Sequence, residues 1–276
     1  MLATDTFKGR VEFTPGFTPG RRISHVLFDF DGTLSLIRQG WPEVMAPMFV
    51  EMLPRRPDDT DESVRQLLYD DIMRLNGKQT IYQMMQLAER IKERGGQPKD
   101  PLWYKHEYLR RLDARIRTRL DSLGSGAMPP DDFLVYGSRP LLEKLKVLGL
   151  PLYLASGTDE QFVKQEAGLL DVTRYFGPHI YGAKDDYKSF SKKILIQRVI
   201  SSANCRGEEF LGFGDGYVEI ENIKEVGGVA VGVATAEPEC SQVDPWKRKR
   251  LAGVGADFIV PNFLCHQELL AALFPQ

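Results

Sequence analysis

Asp29-Phe30-Asp31-Gly32-Thr33 sets two carboxylates one residue apart, at the end of the β-favouring run Ile23 to Phe28. Alternate strand residues share a face, so Asp29 and Asp31 lie on the same side if the strand continues. Two such donors suit a hard cation with oxygen ligands, and one of them is free to act as a nucleophile. Gly32 permits a sharp turn, and Thr33 can hydrogen-bond locally. Ser156, after the apolar run Leu152 to Ala155, offers a hydroxyl, and Gly157 and Thr158 offer N–H groups at a helix start. That is a cradle for an anion, although a plain helix N-cap uses the same residues. Lys192 opens a helix, where a cation is disfavoured unless an anion compensates it; Lys184, Lys188 and Lys193 are its rivals. Gly214-Asp215-Gly216 ends another apolar run, with Glu219 four residues on. Those two acids suit a magnesium ion that keeps several waters, and a turn aspartate with a capping glutamate is the plainer reading.

These groups need elements that bring them together. Strand-like runs alternate with helical ones from Pro140 to the end: Pro151 to Ala155, His179 to Gly182, Phe210 to Phe213, Val229 to Val233 and Phe258 to Val260. Such alternation predicts βαβ units around a parallel sheet, whose ligands gather beyond the carboxyl ends of the strands. Between them, Glu62 to Leu75, Ile81 to Arg94 and Leu102 to Leu123 repeat apolar residues at helical spacing, separated by Gly- and Pro-rich turns. The expected organisation is an N-terminal arm at 1–22, an α/β core from 23–35 and 129–276, and a helical insertion at 36–128. In class terms this is a doubly wound, mainly parallel Rossmann-like sheet carrying an inserted all-helical cap. Thr14-Pro15-Gly16 and Thr18-Pro19-Gly20 give the arm a turn-rich texture.

The 276 residues carry a net charge of −2, with 42% hydrophobic and 27% charged residues, which argues against a nucleic-acid binder. Lys247-Arg248-Lys249-Arg250 is the one basic run, and it reads as the solvated face of a helix rather than a phosphate patch. Cys205, Cys240 and Cys265 lack metal-ligand spacing and read as reduced thiols. No secretion signal or bilayer-spanning run is visible, so the expected location is cytoplasmic.

Taken in order, Asp29-Phe30-Asp31-Gly32-Thr33, Ser156, Lys192 and Gly214-Asp215 with Glu219 resemble the haloacid dehalogenase superfamily. The resemblance covers residues 23–35 and 129–274, and the insertion resembles that superfamily's helical cap of the first type. It implies Mg²⁺ dependence and an aspartyl-phosphate intermediate, with Asp29 as nucleophile and Asp31 as general acid/base. It also implies phosphate binding by Ser156 and Lys192, and metal binding by Asp29, Asp31 through its carbonyl, Asp215 and Glu219. An aspartate two residues after the nucleophile serves an alkoxide leaving group, which favours phosphate ester chemistry. The expected partner is a small phosphorylated metabolite such as a sugar phosphate or phosphoglycolate, not nucleic acid or membrane, acted on by a monomer or homodimer. A phosphomutase is the alternative, and a catalytically silent binding protein the second. Gly32, Thr33, Gly157 and Thr158 are expected to touch substrate, with Lys78, Gln79 and Thr80 from the cap and Arg38 near the hinge.

Overall fold

In a computed structural model, residues 10–14 and 17–275 are described. The strands are β1 (Glu12–Phe13), β2 (His25–Phe28), β3 (Leu152–Asp159), β4 (Ile180–Ala183), β5 (Phe210–Gly214), β6 (Val229–Val233) and β7 (Phe258–Val260). They form one sheet in the order β1-β7-β6-β5-β2-β3-β4, parallel throughout except where β1 meets β7. The expected arm therefore contributes an antiparallel edge strand. Glu12 pairs with Ile259, Phe13 packs against Phe258, and the Thr14 N–H donates to Asp257 O at 3.0 Å. Pro15 and Gly16 of the turn repeat lie outside the described residues.

The central strands are apolar on both faces because both are covered. Val26, Phe28, Leu152, Leu154, Leu211 and Phe213 pack in one layer, and Leu27, Tyr153, Phe210 and Ala230 in the other. Phe28 and Phe213 stack with ring centroids 4.4 Å apart and lock β2 to β5, the strands that end in Asp29 and Asp215.

Four helices make up the insertion: α1 (Pro42–Met52), α2 (Asp61–Arg74), α3 (Thr80–Glu93) and α4 (Pro101–Gly124). The last three match the sequence periodicity within a residue or two at each end. The first is an addition: Pro42 opens it and Pro47 sits inside it, so the run reads as broken, yet Met45, Met48 and Phe49 are fully buried. In the core, α5 (Ser138–Val147), α6 (Glu160–Leu169), the short α7 (Thr173–Phe176) and α11 (His266–Leu273) cover the first layer. The second layer is covered by α8 (Lys192–Ala203), α9 (Tyr217–Glu225) and α10 (Pro245–Gly253). Among the described residues no helix is long and apolar enough to cross a membrane.

Candidate active site

β2 delivers Asp29 to its carboxyl end, where the Asp29 N–H still donates to Phe213 O of β5 at 2.9 Å. Opposite it stands Lys192, the first residue of α8, whose N-cap Ser191 accepts from the Ile194 N–H. Lys192 Nζ lies 2.7 Å from Asp29 Oδ1 and also contacts Glu219 Oε1. Of the four lysines open from sequence, only Lys192 turns inward: Lys193 pairs with Glu225 at the surface, and Lys184 and Lys188 are exposed. Burial disfavours the Lys192 ammonium, but the Asp29 and Glu219 carboxylates outweigh it and hold its pKa above the ordinary lysine range. Burial pushes the Asp29 carboxyl well up; Lys192 opposes this, while Glu219 and Asp215 add to it.

Asp31 is held from its other side. Ser156 Oγ and Thr158 Oγ1 donate to Asp31 Oδ2 at 3.0 and 2.9 Å. Asp31 Oδ1 is buried without a hydrogen-bond partner, 3.8 Å from Arg38 Nε. Arg38 is itself neutralised by a forked pair with Glu166 of α6, with a shortest contact of 2.6 Å. The expected helix start at Gly157 is corrected: β3 runs on to Asp159 through a register shift against β4, so residues 156–158 are extended. The Thr158 N–H is consumed by Ser156 Oγ at 2.9 Å instead of facing an anion. Gly157 lets the cap come close, since a Cβ there would press on Lys78 O.

Asp215 reaches the same cleft from β5. Its N–H donates to Thr33 Oγ1 at 3.0 Å, a contact 182 positions apart in the chain. Thr33 is fully buried, so it positions Asp215 and does not touch substrate as expected. Gly32 adopts φ +75°, and any Cβ would collide with the Asp215 carboxylate, so that turn admits only glycine. Lys247 Nζ lies 3.1 Å from Asp215 Oδ2 and 3.3 Å from Glu237 Oε1.

The basic run of α10 is thus not a solvated face. Lys247 turns to Asp215, Arg248 pairs with Glu12 of β1, and Arg250 donates to the carbonyls of Met73 and Arg74 at the end of α2; Lys249 alone is exposed. Lys247 is the site residue that sequence reasoning missed, because its partners lie 32 and 10 positions away and nothing local marks it.

The cap closes the cleft through the turn between α2 and α3. Gly77 packs its Cα directly on Gly216, and Lys78 and Thr80 line a cavity of about 520 Å³ with Asp29, Asp31, Asp215 and Lys192. Gln79 is corrected: its side chain is buried and donates to the carbonyls of Tyr187 and Phe190, fastening cap to core instead of facing substrate. Glu219 is likewise turned from the cavity wall, one oxygen spent on Lys192 and Oε2 buried without a partner.

The donor set fits a divalent cation. Asp29 and Glu219 pair directly with Lys192, and Asp215 and Glu237 with Lys247, while Arg38 is bound to Glu166 and Lys78, Arg115 and Arg119 line the wider cavity. The donors beside Asp29 are carboxylate and hydroxyl oxygens, and Asp31 Oδ1 remains unpaired. Among the described residues no three acidic, histidine or cysteine side chains form a closed cage. Asp29 and Asp215 are therefore the carboxylates on offer, and water would complete the shell of a cation held there.

A family model, haloacid dehalogenase-like hydrolase, matches residues 23–227. No curated protein matches the sequence. Similar solved structures include one described as a predicted phosphoglycolate phosphatase from Haemophilus somnus 129PT (15% identity, 90% of this chain and 97% of that one, TM-score 0.59). A haloacid dehalogenase-like protein of unknown function from Agrobacterium tumefaciens C58 aligns at 17% identity over 91% and 98% of the two chains, with a TM-score of 0.60. A β-phosphoglucomutase from Clostridium difficile aligns at 13% identity over 84% and 98%, with a TM-score of 0.52. At such identities these structures bear on the fold alone.

Proposed function

The chain belongs to the haloacid dehalogenase-like hydrolase family, and from its site we propose an Mg²⁺-dependent phosphatase that hydrolyses a small phosphomonoester through a phosphorylated Asp29. The observation that carries this reading is Lys192 Nζ held 2.7 Å from Asp29 at the strand end, with Asp31 two residues on and its Oδ1 unpaired. A phosphate dianion repels an attacking carboxylate, so the reaction needs positive charge around the phosphoryl oxygens. Lys192 supplies part of it. Mg²⁺, held by Asp29, Asp215 and the Asp31 carbonyl, would neutralise further negative charge on nucleophile and phosphate.

Asp29 attacks phosphorus in line, forming the Asp29 O–P bond as the ester P–O bond breaks. Asp31 gives its proton to the departing alkoxide. A water molecule then attacks the same phosphorus, Asp31 takes the water proton, and inorganic phosphate and free Asp29 result. Ser156 and Thr158 fix Oδ2 of Asp31, which leaves Oδ1 as the oxygen that handles the proton in both steps. The cap turn at Gly77 and the bonds of Gln79 close the cleft over a substrate the size of a sugar phosphate or phosphoglycolate, and exclude bulk water.

Release of phosphate from a generic aryl phosphate with and without Mg²⁺, followed by a panel of phosphorylated metabolites, tests the reading. The Asp29→Asn variant should lose at least about 10⁴-fold in kcat, as removal of a nucleophile does elsewhere. Activity that survives Asp29→Asn would refute the assignment. Isomerisation of a sugar phosphate without net phosphate release would place the protein among the mutases instead.

A further inference from the structure

Asp215 is held on three sides, and the third is unusual. Thr33 takes its backbone N–H, the Gly32 turn packs under its carboxylate, and Lys247 occupies Oδ2 at 3.1 Å. Lys247 is well fixed. Its N–H donates at 2.8 Å to the N-cap Asp244, and Glu237 Oε1 holds its Nζ at 3.3 Å from the far side. The loop that carries these residues is stitched by Asp244 N–H to Ala234 O at 2.7 Å and Ala236 N–H to Gln242 O at 2.9 Å. A lysine in the first turn of a helix works against the helix dipole, so the Asp215 and Glu237 carboxylates are what retain it.

With Oδ2 taken by an ammonium and the carboxylate unable to swing away, Asp215 has one oxygen left for a cation. Small ions with octahedral coordination accept a single oxygen per carboxylate and keep their waters. Ca²⁺ takes more ligands and accepts bidentate carboxylates. We propose that Lys247 is a positioning residue that makes Asp215 a one-oxygen ligand, and so biases the site against Ca²⁺ and towards Mg²⁺. This rests on the reading of Asp215 as a metal carboxylate.

Titration calorimetry of the full chain with MgCl₂ and with CaCl₂, in the absence of substrate, tests it. Loss of the lysine charge alone tightens both divalent ions by the same factor, so the informative quantity is the ratio of the two dissociation constants. In Lys247→Met, Kd for Ca²⁺ should fall about tenfold further than Kd for Mg²⁺, because a second carboxylate oxygen becomes available only to the larger ion. Lys247→Arg, which keeps a donor on Oδ2, should retain the wild-type ratio. Lys247→Ala, which likewise frees Oδ2, should move the ratio in the same direction by a similar factor and serves if the Met variant does not fold.

An equal shift for both ions, or no shift, overturns the role of Lys247 while leaving the metal site intact. Wild-type protein that hydrolyses phosphate esters yet binds neither ion overturns the metal reading itself and the proposal with it.

Discussion

At the amino end of the parallel sheet, Ser24 Oγ donates to Glu209 Oε2 at 2.8 Å and sits 2.8 Å from His25 Nδ1, while Arg206 Nε reaches Glu209 Oε1 at 3.2 Å. His25 also stacks on Phe210, with ring centroids 5.4 Å apart. At the carboxyl end, Asp29, Asp31, Asp215 and Glu219 are gathered around two lysines, and Asp31 Oδ1 and Glu219 Oε2 have no partner. The other buried side-chain atoms without a partner among the described residues are Gln39 Nε2, which borders the cavity, and Gln79 Oε1, which like Glu219 Oε2 lies behind its wall. Leaving a buried polar atom unpaired costs about 1–3 kcal/mol, so a fold keeps such atoms where something else completes them. One end of the sheet closes on itself, and the other keeps Asp31 Oδ1 and Gln39 Nε2 unpaired beside a cavity.

Three measurements break or sharpen that contrast. Lys192→Met should cost about 10²–10³ in kcat, roughly 2.7–4 kcal/mol at the barrier, by removing a charge that faces the phosphoryl oxygens; phosphate release reads it. A loss below tenfold would mean that Lys192 only neutralises its neighbours. Ser24→Ala at the opposite end should leave kcat/KM unchanged and cost about 1 kcal/mol of stability in urea unfolding, because a satisfied network is opened and no ligand contact is lost.

The smallest effect concerns His25. Burial lowers its pKa below the ordinary 6.5, with Glu209 working in the other direction. A depressed folded-state pKa means that the unfolded chain binds the proton more readily. The neutral ring's contribution is therefore full above 6.5 and is lost as the pH falls through the lowered folded value. Unfolding free energies measured across that window should decline towards acid, and His25→Phe, which keeps the stacking on Phe210, should flatten the decline.

The parts legible in the sequence are those whose signal is local. Asp29 and Asp31 follow an apolar run, Asp215 follows another, and Ser156 follows a third, so a strand-end rule places all of them on one rim. The rule that a cation at a helix start requires an anion marks Lys192, but Lys184, Lys188 and Lys193 stay open until the fold turns Lys192 alone inward. What stayed hidden depends on contacts between distant segments. Thr33 looks like a turn residue until Asp215 arrives 182 positions later, and Gln79 looks like a cleft residue until the carbonyls of Tyr187 and Phe190 claim it. Ser156-Gly157-Thr158 reads as a helix start because the register shift that prolongs β3 belongs to its pairing with β4, not to its own residues. The prolines of α1 suppress a helical pattern that tertiary burial of Met45, Met48 and Phe49 restores.

The three inward turns of α10 carry a practical consequence. Within four residues the helix grips Asp215 through Lys247, the edge strand through Arg248 and Glu12, and the end of α2 through Arg250. Deleting Glu12 and Phe13 would therefore remove one of the contacts that hold α10 beside the cleft, and a truncation that reaches them is not a neutral piece of engineering in this protein.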